Sequence, residues 1–176
     1  MHSSEKQPLI GVLDIGSNSV RLVVYDGLKR VPRVLYNEKY DCRLGDGLEE
    51  TGRLTEASKA RARKAVARFV YLAQHMEVAE FFSQATAALR DAADGPEFVE
   101  ELQQRFDVKI EVISGKREAE LAALGVMSSL HKTEGFAGDF GGGSFELVKL
   151  HRKRFFSRHS LPMGALRLVD KAGTDA

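Results

Sequence analysis

One short pattern is written twice in this chain, and the repetition constrains the fold more than any other feature. Asp14-Ile15-Gly16-Ser17-Asn18-Ser19 and Asp139-Phe140-Gly141-Gly142-Gly143-Ser144 share the spacing Asp-x-Gly-x-x-Ser. Apolar residues flank both: Leu9 to Leu13 and Val20 to Tyr25 around the first, Phe136 and then Phe145, Leu147, Val148 and Leu150 around the second. Two β-branched-rich runs around a Gly/Ser/Asn cluster predict a β-hairpin. One such turn on its own usually only joins strands. Two in register predict two similar half-folds facing each other, each presenting one turn. The turn chemistry is also particular. Gly16 lets the backbone approach a ligand closely. Ser17, Asn18 and Ser19 supply hydroxyls, an amide and successive backbone N–H groups, which suit a phosphate oxygen. Gly141, Gly142, Gly143 and Ser144 repeat that arrangement. Asp14 closes its strand where it can face a metal ion or an attacking water.

Composition narrows the partners. With 176 residues the expectation is one domain, or one domain and part of another. The formal net charge of +1 gives no global pull toward nucleic acid or an anionic membrane, so neither is an expected partner. A single cysteine, Cys42, excludes an intramolecular disulfide and a cysteine metal cluster. The five histidines show no metal-ligand spacing. Residues 1–8 are polar, lack the apolar centre of a signal peptide and are expected to be disordered. No apolar run approaches the ~18 residues of a membrane span. These points together predict a cytoplasmic protein.

Along the chain, Val34 to Tyr40 reads as a third strand. Residues 43–54 form a Gly-rich loop carrying Arg43, which from the residues alone reads as a plain surface loop. Thr55 to Met76 reads as a helix capped by Thr55, with Ala62, Ala65, Val66, Phe69, Leu72 and Ala73 on its core face. Its other side is basic through Lys59, Arg61, Arg63, Lys64 and Arg68. That side is either a polyphosphate track or, as for most long helices, a solvated face. Val78 to Ser83 reads as a strand, and Ala85 to Ala92 opens a helix containing Arg90. The Arg90 fork can hold phosphate oxygens bidentately or pair with Asp91 or Asp94. Glu97 to Arg105 reads as helix, Val108 to Ile113 as strand, and Lys116 to Leu130 as helix. Residues 131–135 make a polar hinge, dividing a first domain at 9–130 from a second at 136–176. There Arg154 to Leu161 reads as the last strand.

The paired Asp-x-Gly-x-x-Ser turns resemble the exopolyphosphatase / guanosine pentaphosphate phosphatase (Ppx/GppA) family. Four further stretches fit it: Arg43-Leu44-Gly45-Asp46-Gly47-Leu48, Thr86-Ala87 with Arg90, Ile113-Ser114-Gly115 with Glu118-Ala119, and Leu161-Pro162-Met163-Gly164-Ala165-Leu166-Arg167-Leu168. The resemblance implies an α/β architecture, the ribonuclease H-like half-fold of the acetate kinase, sugar kinase, heat-shock ATPase and actin superfamily, followed by the start of a second such half. It implies a hydrolase acting on phosphoanhydride bonds. The expected substrate is inorganic polyphosphate, with guanosine pentaphosphate as the alternative, or a non-catalytic module that binds either.

The resemblance also assigns roles. Glu118 becomes the general base; from the residue alone, an acid in a first helical turn equally suits the helix dipole. Arg90, Arg43 and the two turns (Gly16, Ser17, Asn18, Ser19, Gly141, Gly142, Gly143, Ser144) become substrate-binding. Asp14, Asp139 and Glu146 become ligands of Mg²⁺, an ion that prefers oxygen donors and phosphate. Arg167 is expected to face the cleft. Two positions depart from the family pattern: Arg117 stands where Glu is common and Glu120 where Arg is common. The second half is shorter than the first, which implies an N-terminal piece or a degenerate member. A three-stranded sheet without covering helices would expose an apolar face and invite association, a homodimer included.

Overall fold

The computed structural model describes residues 7–131, 133–152 and 154–172. Most of the N-terminal stretch expected to be disordered therefore lies outside the described residues. Strands β1 (Ile10–Ile15), β2 (Ser19–Tyr25) and β3 (Val34–Asp41) form an antiparallel meander. A short helix α1 (Leu48–Thr51) and a long helix α2 (Glu56–His75) carry the chain back to β4 (Glu80–Ala85), which pairs with β1 in parallel. Helices α3 (Ala87–Asp91) and α4 (Gly95–Phe106) then lead to β5 (Glu111–Val112), parallel to β4. The sheet order β3-β2-β1-β4-β5 is the expected ribonuclease H-like half-fold.

Helix α2 forms where its cap and its apolar spacing agree. The Thr55 hydroxyl accepts from the Ser58 amide, satisfying one of the orphan N–H groups of the first turn. Ala62, Ala65, Val66, Phe69 and Ala73 are buried, and the first four join Leu13, Leu22, Val24 and Leu102 in one core. Phe69 is fully buried, worth about 1.5–3 kcal/mol of apolar transfer. The basic side of α2 is largely neutralised within the protein. Lys59 binds the buried Asp94 at 2.7 Å, Arg63 grips Glu101 bidentately at 2.6 and 2.9 Å, and Arg68 does the same to Glu38 at 2.8 and 3.0 Å. Arg61 donates to the Cys42 carbonyl. The polyphosphate-track reading of this helix therefore gives way to a network of ion pairs.

The expected strand 108–113 shrinks to Glu111–Val112. Side chains take the place of a ladder before it. Ser83 Oγ donates to the Lys109 carbonyl, and the Ile110 amide donates to Gln103. Val108 and Ile110 still bury themselves in the core. The expected strand 78–83 begins two residues later.

Helix α5 (Gly115–Ser129) changes halves. It lies on the second sheet, made of β6 (Glu134–Phe140), β7 (Phe145–His151) and β8 (Arg154–Leu161) in the antiparallel order β6-β7-β8. Ala119 and Ala123 pack on Ala137, Val148 and Leu150. One face of the second sheet is thus covered by a helix that sequence order assigns to the first half, a correction to the expected bare sheet. The opposite face leaves Phe136, Phe140, Phe156 and Leu161 exposed. The end of the expected 131–135 hinge is already strand. Helix α6 (Ala165–Ala172) follows β8 and caps the second turn, with the Ala165 and Leu166 amides donating to the Gly141 and Gly142 carbonyls at 2.9 Å.

Candidate active site

The two turns have the same internal bond: the Gly16 amide donates to the Ser19 carbonyl, and the Gly141 amide to the Ser144 carbonyl, both at 2.9 Å. They meet directly. A Cβ on Gly142 would sit 3.0 Å from the Asn18 nitrogen, and one on Gly143 would sit 2.4 Å from Ser17 Oγ. The second turn is glycine where the first has side chains, because those side chains occupy the space between the halves. Ser17 is buried, and its hydroxyl accepts from the Ala88 amide. That bond ties the first turn to the start of α3. Asn18 uses its carbonyl to hold the Cys42 and Arg43 amides. Ser144 is buried in the seam and lines a cavity beside it.

Strand register places the acidic residues. Asp139 lies directly opposite Glu146, which lies opposite Ser160 on β8. Glu146 is only 2% exposed and accepts from Ser160 Oγ at 2.7 Å. In the first hairpin, Asp14 lies opposite Arg21 and beside Gln84, whose amide reaches it at 3.5 Å. Burial pushes the Asp14 carboxyl above its ordinary range; facing Asp139 adds to this, while Gln84 and Arg21 act against it.

Glu118 sits in the first turn of α5, behind an N-cap in which Ser114 Oγ accepts from the Arg117 amide. Burial, the nearby Glu146 and, more weakly, Asp14 push its carboxyl up to about 7, against the opposing pull of Arg90. Arg90 Nη1 donates to Glu118 and to the Ile113 carbonyl, each at 3.1 Å, while its Nε faces Asp91 at 3.2 Å. A carboxylate that titrates near neutrality in a polar cleft suits proton transfer.

The cavity measures about 380 Å³ and is lined by Arg90, Lys116, Gly143, Ser144, Arg158 and Ser160, among others. Glu118 does not line it; Arg90, which does, binds Glu118. Its wall of glycine backbone, hydroxyls and cations suits a phosphate better than an apolar ligand. Among the described residues no three His, Cys, Asp or Glu side chains form a ready-made metal cage. Like-charge repulsion nevertheless reaches Asp14 from Asp139, and Glu118 from Glu146 and Asp14. That unbalanced charge fits a hard cation held by a few carboxylates, with water and phosphate completing its shell.

The structure thus brings Asp14, Gly16, Ser17, Asn18, Ser19, Arg90, Glu118, Asp139, Gly141, Gly142, Gly143, Ser144 and Glu146 together around one seam. Two expected residues fall elsewhere. Arg43 is more than half exposed and pairs with Asp46 at 3.0 Å, away from the cavity lining. Arg167 bridges Glu49 and Asp91, clasping α6 to the first half instead of facing the cavity. Ser160, Lys116 and Arg158 escaped sequence reading. Only the β7–β8 register puts Ser160 beside Glu146, and only the packing of α5 on β8 brings Lys116 and Arg158 to one cavity.

Known proteins resemble the chain in sequence and in fold. The sequence profile of the Ppx/GppA phosphatase family matches residues 22–176. The chain belongs to that family. Exopolyphosphatase 1 of Mycobacterium leprae is 29% identical over 163 residues, covering 91% of this chain and 48% of its own length. The crystal structure of an exopolyphosphatase from Cytophaga hutchinsonii superposes with a TM-score of 0.86 at 30% identity, over 93% of this chain and 53% of that one. More distantly, the ethanolamine utilization protein EutJ from Carboxydothermus hydrogenoformans shares the fold alone, with a TM-score of 0.53 at 13% identity over 92% of this chain and 54% of that one. The chain spans about half the length of these relatives. Among its described residues no helix is long and apolar enough to cross a membrane.

Proposed function

We propose that this chain carries the catalytic cleft of a Mg²⁺-dependent phosphohydrolase that releases terminal orthophosphate from inorganic polyphosphate in the cytoplasm. The observation that carries the reading is Glu118, a carboxyl raised to about 7 and held by Arg90 beside two opposed Gly/Ser turns. A terminal phosphate entering the cavity takes Arg90 as its partner and loosens the Arg90–Glu118 bond. Glu118 then accepts a proton from water as the water oxygen bonds to the terminal phosphorus. The bond from that phosphorus to the bridging oxygen breaks, and the shortened chain leaves with the electron pair. Backbone amides of the two turns and the Ser144 hydroxyl hold the phosphate oxygens in line. Most of the rate then comes from positioning and fixed charge. Asp14, Asp139 and Glu146 are the residues to hold Mg²⁺, which would offset charge on the phosphate oxygens.

The exopolyphosphatase names of the relatives support polyphosphate as substrate. Orthophosphate release from long-chain polyphosphate, with Mg²⁺ and with chelator, tests the reading. Glu118→Gln is expected to lower turnover by about 10²–10⁴-fold; a variant as fast as the parent would remove Glu118 from the mechanism. Guanosine pentaphosphate, run in parallel, tests the alternative substrate. The second reading is a polyphosphate-binding module without turnover. Binding without release in the parent chain would select it.

A further inference from the structure

We infer that Lys116 and Arg158 form a second phosphate subsite, reading the next unit of a linear polyphosphate while Arg90 and the Gly143–Ser144 turn hold the terminal one. The inference rests on the phosphate-cleft reading above and adds the direction in which the chain leaves the seam. All of these residues line the same cavity of about 380 Å³, which exceeds the needs of a single phosphate. The subsites adjoin: a Cβ built on Gly115, the residue before Lys116, would lie 3.9 Å from Arg90 Nη2.

Charge pairing singles out Lys116. Arg90 is engaged by Glu118 and Asp91, and Arg167 by Glu49 and Asp91. Arg117 turns to Glu120 at 3.4 Å. Lys116 lines the cavity, is exposed and makes no ion pair among the described residues. Arg158 pairs with Glu120 through Nη1 and lies with its guanidinium 5.8 Å from the Phe155 ring, so its position is held. A guanidinium has five N–H donors, and one bond to Glu120 leaves others for the cavity. A lysine ammonium is a mobile point charge that follows a flexible polyanion without demanding one geometry. The subsite therefore favours a linear phosphate chain over an isolated orthophosphate.

Binding to the 176-residue chain tests this, using orthophosphate and long-chain polyphosphate in separate titrations at several salt concentrations. Lys116→Ala is expected to weaken polyphosphate about fivefold and to flatten its salt dependence. Orthophosphate affinity should stay within about twofold, because Arg90 and Ser144 are untouched. Lys64→Ala, an equal charge change on α2, should alter neither. Replacing Arg158 and Glu120 together by Gln removes the guanidinium without stranding its carboxylate and should weaken polyphosphate alone. Unchanged polyphosphate binding in Lys116→Ala, or an equal loss of orthophosphate, overturns the subsite and leaves the phosphate-cleft reading standing. A parent chain that binds neither ligand overturns both.

Discussion

The hairpins β1–β2 and β6–β7 have one backbone design and two chemistries. Each bends through the same Gly-to-Ser bond, and each places an Asp one residue before the end of its first strand. What faces that Asp differs. Asp14 meets Arg21, an exposed residue bonded to Asn37. Asp139 meets Glu146, buried and bonded to Ser160. The tips differ as well: Ser17 and Asn18 in the first turn stand where Gly142 and Gly143 stand in the second. Apposition explains this, since two turns that touch cannot both carry side chains at the contact. A duplicated backbone has become two unlike halves of one site, the first contributing packing side chains and the second close backbone and buried charge.

The sharpest way to break this comparison exchanges the residues at its point of difference. Glu146→Gln is expected to lower Mg²⁺-dependent orthophosphate release by about 10²-fold or more. Arg21→Gln, at the matching position, should leave it within about twofold. Equal losses would mean that the two hairpins contribute alike. Circular dichroism of both variants separates misfolding from loss of chemistry.

A smaller effect tests the apposed turns. Gly143→Ala drives a methyl into Ser17 and to 2.9 Å from Ala87 Cβ, and should destabilise the chain by about 1–3 kcal/mol in urea unfolding. Gly141→Ala meets nothing nearer than the Ser144 carbonyl at 3.4 Å and should stay under about 1 kcal/mol. If the two variants unfold together, the turns are not in contact in solution.

The smallest effect is in pH. Glu118 is raised from 4.5 to about 7 in the folded chain, so the proton-bound form is favoured by folding. Its contribution to stability is present below about 4.5 and is lost as pH rises through about 7. Asp94 and Glu101, whose carboxyls are held low by Lys59 and Arg63, work in the opposite sense and lose their contribution as pH falls. Melting temperature followed from pH 5 to pH 8.5 should therefore decline more steeply in the parent than in Glu118→Gln. If the two curves are parallel, Glu118 has an ordinary acidity. Orthophosphate release should rise with pH across the same window, as a general base loses its proton.

Much of this was legible in the residues themselves. Short-range rules govern hairpins, caps and apolar faces, so the paired turns, the Thr55 cap and the α2 core face follow from spacing alone. Glu118 and Arg90 were legible through the resemblance, because the sequence around them fits a known motif. Tertiary structure decided the rest. Arg167, expected to face the cleft, is claimed instead by Glu49 and Asp91, both remote in sequence, whereas Arg43 pairs with its near neighbour Asp46. Lys59, Arg63 and Arg68 of the basic α2 stripe are neutralised by Asp94, Glu101 and Glu38, which are remote in sequence. Helix α5 belongs to the first half by order and to the second by packing. Local sequence determines which conformations a segment prefers, because those preferences depend on neighbours three or four residues away. Which charges are matched and which are left free depends on through-space distance, and that is set only when the two sheets and their shared helix come together.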